Sequence, residues 1–448
     1  YTSETYKKDL IASASAPGTT VLNRGDADIE TDSTFDAIYY APHLSQAPME
    51  PPAAVARINE DGSCEVWACT QDPQSARNTV AGVLGLEQEQ VTVNVTLLGG
   101  GFGRKSKPDF IVEAAWLARE TGRPVKVTWT REDDIRHGYL HSVSAQYFRA
   151  GMDADGKTVS LLHRTSFPSI ASTFAPGVKG PSGFELDLGV LDSPWDVPNM
   201  RSETCEAIAH VRIGWLRSVC NVFHAFGAGS FVDELAHLKG RDPKEHLLEM
   251  IGPARKINPA DDAAEYTNYG QDLEQHPIDT GRLAAVVKNV ADMAGWGREL
   301  PDGHGLGIAV HRSFLAYVAA VAEVSVDDNG KPLVHNIWTC IDAGTVINTD
   351  RVHSQMEGAA IFGMSIALHG EITAQDGAIV QGNFDTYPVV RMSETPAMIH
   401  THIVESSAPP GGVGEPGVPP VAPAIVNAYF AATGKRVREL PLRNSGSA

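Results

Sequence analysis

The apolar positions of this chain change period several times, and each change marks an element. Segments 53–59 and 64–70 alternate on either side of Asn59-Glu60-Asp61-Gly62, which predicts a β-hairpin. Asp72-Pro73 then opens a helix that Gly85 can close. Aspartate caps the free N–H groups, proline is tolerated in the first turn, and glycine accepts the left-handed stop. Val91, Val93 and Val95 alternate as a strand that runs into Gly99-Gly100-Gly101-Phe102-Gly103-Arg104-Lys105. A helix over 109–120, stopped by Gly122, and a strand over 125–130 complete a strand, glycine loop, helix, strand unit. Helices are predicted over 225–239, 242–250, 280–296, 352–368 and 421–433. Pro423 suits the last of these only because it falls in the first turn. Strands are predicted over 307–310, 318–326 and 334–340, with a short final one after Gly434. Residues 1–35 are polar and aperiodic and read as an extended arm, and 258–276 read as a polar loop between lobes. Mixed helix and strand with long connections and no internal repeat mean an α+β or α/β fold.

Composition removes several function classes. At 448 residues the chain suits roughly two to four domains and can bury a large core without cross-links. The formal net charge of −19 argues against a nucleic-acid partner, which needs clustered Lys and Arg. No apolar run is long enough to span a membrane. Five cysteines with no CxxC pair (Cys64, Cys69, Cys205, Cys220 and Cys340) read as buried thiols rather than a zinc or iron–sulfur site. The chain begins at Tyr1 instead of Met, so the lack of a signal peptide decides nothing.

Few residues carry chemistry on their own. Four glycines in the five positions 99–103 let backbone approach a ligand and point N–H groups at anionic oxygens. The loop is neither a Walker loop nor a dinucleotide fingerprint, because Arg104 and Ser106 stand where glycines would be needed, and a plain tight turn remains an equal reading. Glu415 is pinned in Pro409-Pro410-Gly411-Gly412-Val413-Gly414-Glu415-Pro416-Gly417. A loop glutamate is ordinarily solvated, but this frame could hold a general base in place. Trp215-Leu216-Arg217-Ser218, Gln71 and Gln355 carry no signal individually. His137 and His141 have helical spacing, but Gly138 intervenes and no HExxH glutamate accompanies them.

Taken in order, these segments acquire meaning. Met49-Glu50-Pro51, Thr70-Gln71-Asp72-Pro73, Gly99–Lys105, Arg217-Ser218, Asp233-Glu234-Leu235-Ala236 with Asp242-Pro243, Asp342-Ala343-Gly344, Gln355–Gly358, Gly412–Pro416 and Leu440-Pro441-Leu442 follow one another. The succession resembles the large, molybdopterin-binding subunits of the xanthine oxidase and aldehyde oxidoreductase family. It is most similar to the isoquinoline 1-oxidoreductase β-subunit-like branch, over about residues 36–442. The resemblance implies the α+β class and a two-lobed fold with mixed sheets and flanking helices: the end of a preceding domain or an arm over 1–40, a first lobe over 41–260, and a second over 261–448 carrying the catalytic glutamate.

The resemblance also implies a site. Glu415 matches the family's essential base. Gln71 matches the glutamine beside the apical molybdenum ligand, and Gly100, Gly101, Phe102 and Gly103 match the loop whose backbone meets that ligand and the pterin. Arg217 and Ser218 match a second backbone contact, with Ser218 replacing the usual glycine; Gln355 matches a cofactor-binding glutamine, and Gly412, Val413 and Gly414, which lead into the base, are expected to bind the cofactor as well. Molybdenum is held through the pterin, so no protein metal ligand is expected. The implied cofactor is molybdopterin cytosine dinucleotide, and the reaction is oxidation of an aldehyde to a carboxylic acid, or hydroxylation of an N-heteroaromatic ring. Trp215, His224 and Phe314 are the expected neighbours of the substrate. The resemblance further implies that electrons leave through [2Fe–2S] clusters on a small partner subunit, with a cytochrome c subunit as a further partner. The periplasm or the periplasmic face of the inner membrane is the expected location, the cytoplasm being the alternative. The family's Met-Gly-Gln-Gly segment is absent between Gly305 and Val324, so a second chain or proteolytic half is expected to supply it. A cofactor-free scaffold subunit and an anion-binding or hydrolytic protein are the competing classes. Intact Gln71, glycine loop and Glu415 oppose the first, and the lack of a nucleophile–base pair opposes the second.

Overall fold

A computed structural model describes residues 1–443. Three sheets organise them. The first holds five strands in the order β1 (Thr19–Arg24), β9 (Asn199–Cys205), β8 (Thr158–Ser166), β7 (Ser144–Met152) and β2 (Ser33–Ala41). Only β8 and β9 run parallel. Helix α1 (Ser3–Ser15) packs on β7 and β8. Residues 1–40, expected as an arm or the end of another domain, are therefore a helix and two strands of this sheet. Their apolar residues are few, but Tyr6, Leu10 and Ala14 recur on one face of α1 and are buried.

The second sheet is the predicted unit, in the order β5 (Val91–Val95), β4 (Cys64–Ala68), β3 (Ala53–Ile58) and β6 (Val125–Thr128). Helices α2 (Pro73–Leu84) and α3 (Asp109–Thr121) cover it. Asp72 caps α2 by accepting from the Ser75 N–H, and Gly85 ends it at φ +65°. A short helix, α4 (Arg131–His137), follows β6, and a single helical turn, α5 (Gly183–Leu186), lies in the long β8–β9 connection.

The third sheet runs β12 (Gly305–Ser313), β13 (Ala316–Val326), β14 (Pro332–Asp342) and β17 (Met398–Ile403). Two-residue strands β10 (Lys256–Ile257) and β11 (Ile278–Asp279) clasp the loop predicted at 258–276, and β15 (Ala374–Gln375) and β16 (Ala378–Ile379) form a minimal hairpin. Helices α8 (Thr280–Ala294), α9 (Thr349–Leu368) and α10 (Val421–Thr433) pack against the third sheet. Helix α6 (Asn221–Leu238), followed by α7 (Pro243–Ile251), touches β2 and β7 of the first sheet, β12 of the third, and α10. One hydrophobic core consequently runs from Leu22 to Leu442 across both predicted lobes. Beyond Gly434 the predicted strand is only a bridge between Tyr40 and Glu439.

The buried Asp233-Glu234 pair on α6 explains how the C-terminal segment is held. Arg436 meets Asp233 at 2.5 Å, Arg438 meets Glu234 at 2.7 Å, and the Tyr39 hydroxyl donates to Glu234 at 2.8 Å. Buried carboxylates need such partners. Strands β7 and β8 escape the sequence pattern because they are buried on both faces and carry polar groups inward. Gln146 satisfies His163 and Thr165 at 2.8 Å each, and His163 stacks on Phe148 at 4.1 Å.

Helix α10 lies unusually close to β12 because Gly305 and Gly307 share the strand face beneath it. A Cβ at Gly307 would sit 2.2 Å from Ala428 N, whereas one at Gly82, inside α2, would meet nothing within 4 Å. Gly307→Ala is expected to destabilise the protein by about 3 kcal/mol or more through overpacking. Gly82→Ala is expected to stabilise it by up to about 1 kcal/mol through helix propensity. Urea unfolding midpoints of the two variants should move in opposite directions.

Candidate active site

Three chain-distant loops meet at one place. The first follows β5. Gly103 N–H donates to Gln71 Oε1 at 3.0 Å, and Gln71 N–H donates to the Lys105 carbonyl at 3.0 Å. The Gln71 carboxamide oxygen is thus committed to the loop, and the NH2 end is the donor it can offer. A Cβ at Gly101 would lie 2.3 Å from Gln71 Oε1, and one at Gly103, where φ is +97°, would lie 2.4 Å from the Trp215 carbonyl. These two approaches are why the loop is glycine. Phe102 places its ring 5.2 Å from Phe362 on α9. The base of the loop is ionic: Glu50 Oε2 accepts from Gly99 N–H at 2.8 Å and from Lys105 Nζ at 2.6 Å, and buried Arg104 makes a two-pronged contact with Asp109 at 2.9 and 3.0 Å.

The second loop precedes α6. Ser218 and Val219 stand at φ +80° and +48°, a conformation costly for side-chain-bearing residues. Buried His141, on a chain bridge beside it, places Nε2 2.9 Å from the Val219 carbonyl. The third loop precedes α10. Gly412 N–H donates to the Phe314 carbonyl at 2.7 Å, and Val413 packs against the cluster that includes Ile341 and Met356. Arg217 joins loops two and three: Nε donates to the Gly414 carbonyl at 2.7 Å, and Nη2 donates to the carbonyl and Oε1 of Gln355 on α9 at 3.1 and 2.9 Å. Ser218 Oγ donates to the Glu415 carbonyl at 2.7 Å.

Two cavities flank this junction. Gln71, Gly103, Trp215, Val219, Phe314 and Glu415 line one of about 900 Å³. Phe102, Leu216, Arg217 and Phe362 are among the residues lining a second, of about 660 Å³. The glycine loop and the 215–219 turn form the partition, since neighbouring residues of each face opposite sides. Burial raises the Glu415 carboxyl above the usual carboxylate range, opposed by a backbone hydrogen bond from Ser218 and by the Arg217 charge. Burial likewise lowers Arg217 to about 10, with Glu415 opposing.

The profile of the molybdopterin cofactor-binding domain matches residues 14–247, and a second profile of the same description matches 283–396. The chain belongs to this family. Its relatives place it among the molybdopterin-binding chains of the xanthine oxidase family. It is 32% identical to the beta chain of isoquinoline 1-oxidoreductase from Brevundimonas diminuta, over 94% of this chain and 51% of that protein. It is 31% identical to the membrane-bound aldehyde dehydrogenase [pyrroloquinoline-quinone] of Gluconacetobacter polyoxogenes, over 92% of this chain and 53% of that one. The chain thus spans about half the length of these relatives. Among solved structures it shares the fold of the Desulfovibrio gigas aldehyde oxidoreductase, with a TM-score of 0.77 at 16% identity, covering 94% of this chain and 62% of the other. Quinoline 2-oxidoreductase from Pseudomonas putida 86 gives 0.76 at 15%, covering 97% and 80%.

The residues of this molybdopterin-binding chain fit such a ligand. Gly100 to Gly103 present backbone that only Phe102 interrupts with a side chain, and the second cavity pairs apolar walls with Ser45, Gln46, Arg217 and Ser354. The sequence-predicted residues divide by position. Gln71, Gly103 and Glu415 reach the larger cavity and Phe102 and Arg217 the smaller. Gly100, Gly101, Ser218, Gln355, Gly412, Val413 and Gly414 line neither; of these, Ser218, Gln355 and the three residues 412–414 hold Arg217 and the Glu415 loop in place. Trp215 and Phe314 line the larger cavity as expected, but His224 does not. It lies on the face of α6 that packs the first sheet, with Nδ1 2.6 Å from the Leu188 carbonyl and Nε2 3.1 Å from Thr165 Oγ1. Sequence reasoning missed Gln46, whose amide donates to the Tyr139 and Trp215 carbonyls at 2.8 and 2.6 Å, and Lys107, which lines the larger cavity. Neither has a local signal, because their partners are distant in sequence.

Two outcomes are expected. The folded chain holds the Glu415 proton more tightly than the unfolded chain, so ionising it costs stability as pH rises above the ordinary carboxyl range. Glu415→Gln should therefore melt higher than the parent at about pH 7 and lose that advantage near about pH 4; a difference that ignores pH would contradict the burial argument. Ser218→Ala keeps the strained φ and loses the Oγ hydrogen bond, costing about 1 kcal/mol. Ser218→Gly loses the same bond but releases about 1 kcal/mol of strain, so its unfolding midpoint should lie above that of the alanine variant.

Proposed function

We propose that this chain is the molybdopterin-binding part of a molybdenum hydroxylase that oxidises an aldehyde to a carboxylic acid with water as the oxygen source. The observation that carries this reading is Glu415, a half-buried carboxyl with a raised pKa that lines one cavity with Gln71 and Gly103. The cofactor, when bound, supplies the two-electron chemistry. Glu415 takes the proton from the oxygen nucleophile, and a raised pKa makes its carboxylate a better base near neutral pH. The Ser218 N–H and the Arg217 charge act against that rise by favouring the carboxylate. Gly412 to Gly414, tied to Phe314 and Arg217, fix its direction. Val219, Trp215 and Phe314 limit water around it. Gln71 offers its NH2 end and the glycine loop its backbone to the cofactor.

The same reading includes the cytosine dinucleotide form of the cofactor and electron transfer to a small [2Fe–2S] subunit. It also includes a second chain or proteolytic half completing the pterin site, a cytochrome c subunit downstream, and a periplasmic location. Two relatives named as subunits of larger enzymes, the isoquinoline protein and a nicotinate dehydrogenase chain of Pseudomonas putida, support a multi-chain assembly. A second reading, hydroxylation of an N-heteroaromatic ring, is favoured by the aromatic lining of the larger cavity, where Tyr139, Phe174, Trp215 and Phe314 converge.

The complex, purified with its partner chains, is expected to contain molybdenum, iron and CMP released on hydrolysis. Benzaldehyde turnover should exceed isoquinoline turnover; the reverse order would favour the second reading. Glu415→Gln should lower kcat by about 100- to 10,000-fold while molybdenum content stays at the parent level. A kcat within a few-fold of the parent would remove Glu415 from the chemistry, and absence of molybdenum from the parent complex would favour a scaffold role.

A further inference from the structure

Lys107 is a buried cation with no hydrogen-bond acceptor among the described residues. Its side chain is 4% exposed and Nζ is unpartnered. Three rings surround it: Nζ lies 3.8 Å from the centroid of Phe174, 4.3 Å from Trp215 and 5.2 Å from Tyr139. Ring faces attract an ammonium but give its three N–H donors nothing to bond. The nearby carboxylates are occupied. Asp109 holds Arg104 through both oxygens, and Asp72 caps α2 through Ser75. Lys107 also lines the cavity that Glu415 and Gln71 line. Burial lowers it to about 8, with Asp109 opposing and Arg104 adding to the fall.

The outermost ring of the cage is the movable part. Phe174 is 67% exposed, follows the short helical turn Ile170–Thr173, and precedes Gly177 at φ +79°. Trp215 and Tyr139, by contrast, are fixed by the Gln46 amide, which holds both of their carbonyls. Displacing Phe174 would open Nζ to the cavity and leave the other two rings in place.

We propose that Lys107 is a specificity-determining residue of this cavity and that the substrate carries a carboxylate remote from the reacting carbon. The carboxylate replaces the Phe174 face and accepts the N–H bonds that Lys107 lacks, which is the charge-assisted pairing such a group favours. Trp215 and Tyr139 remain as walls for the body of the substrate. This deepens the proposed function and rests on it for the chemistry, but the anion site is testable without turnover.

The probes are benzoate against benzamide for binding, and 4-formylbenzoate against 4-formylbenzamide for turnover, all on the holoenzyme. Calorimetry should show benzoate binding at least about tenfold tighter than benzamide. The ratio of kcat/KM should favour the formylbenzoate by a similar factor. Lys107→Met should bring both ratios close to one, and Lys107→Arg should restore part of each. Equal affinity for the two binding probes in the parent protein would overturn the proposal, even if Lys107→Met failed to fold. So would a Lys107→Met variant that lost both members of each pair equally, since that is the signature of a structural role. Lys107-dependent benzoate binding with no turnover of either aldehyde would uphold the anion site and count against the proposed reaction. Turnover of both aldehydes at equal efficiency would do the opposite.

Discussion

The site depends on one buried guanidinium. Arg217 is 7% exposed and donates to three oxygens, none of them charged: the Gly414 carbonyl, the Gln355 carbonyl and Gln355 Oε1. Removing a guanidinium from water is costly unless its donors are satisfied in its planar geometry. Satisfying them here requires a loop nearly two hundred residues away and a helix between the two in sequence to be in register. The position of Glu415, next after Gly414, follows from that requirement. The charge that would compensate Arg217 is Glu415 itself, so the two groups bias each other's ionisation.

Around this clamp the backbone is strained. Phe102 on the glycine loop, Ser218 and Val219 before α6, and Phe314 and Leu315 in the β12–β13 turn that holds Gly412 all have positive φ. Each costs on the order of 1 kcal/mol or more. The core that runs through both large sheets can absorb such a cost, and α6, packed between them, anchors the strained Ser218–Val219 turn at its N-terminal end. Burial of Glu415 acts in the same direction: it costs stability at neutral pH and leaves a carboxylate suited to proton transfer. Such trade-offs between stability and a poised group are common at reacting centres.

The ionic pairs serve placement. Arg104 with Asp109, and Asp233 and Glu234 with Arg436 and Arg438, join a loop or chain end to a helix, and Lys105 with Glu50 joins two loops. The Asp233-Glu234 motif contributes to the family resemblance, yet its physical task is to hold the C-terminal segment beside Tyr39 and Tyr40. Recognition of a motif and knowledge of its role are separate inferences.

What the sequence by itself determined is whatever depends on local chemistry. The 53–70 hairpin, the Asp72-capped helix, the strand into the glycine loop and the helix from Asp109 were legible because turn, cap and period signals act within a few residues. The order of the motifs was enough to indicate the family, and with it Glu415, Gln71 and the loop at 100–103. The structure alone decided that residues 1–40 belong to the first sheet, because a half-buried helix with three apolar contacts leaves almost no periodic trace. It also decided that β7 and β8 are strands, since burial on both faces erases alternation, and that His224 faces the core. Which groups share a cavity was likewise beyond the sequence. Lys107, Trp215 and Glu415 are far apart along the chain, and only the packing of three loops brings a caged ammonium and a half-buried carboxyl to the same space.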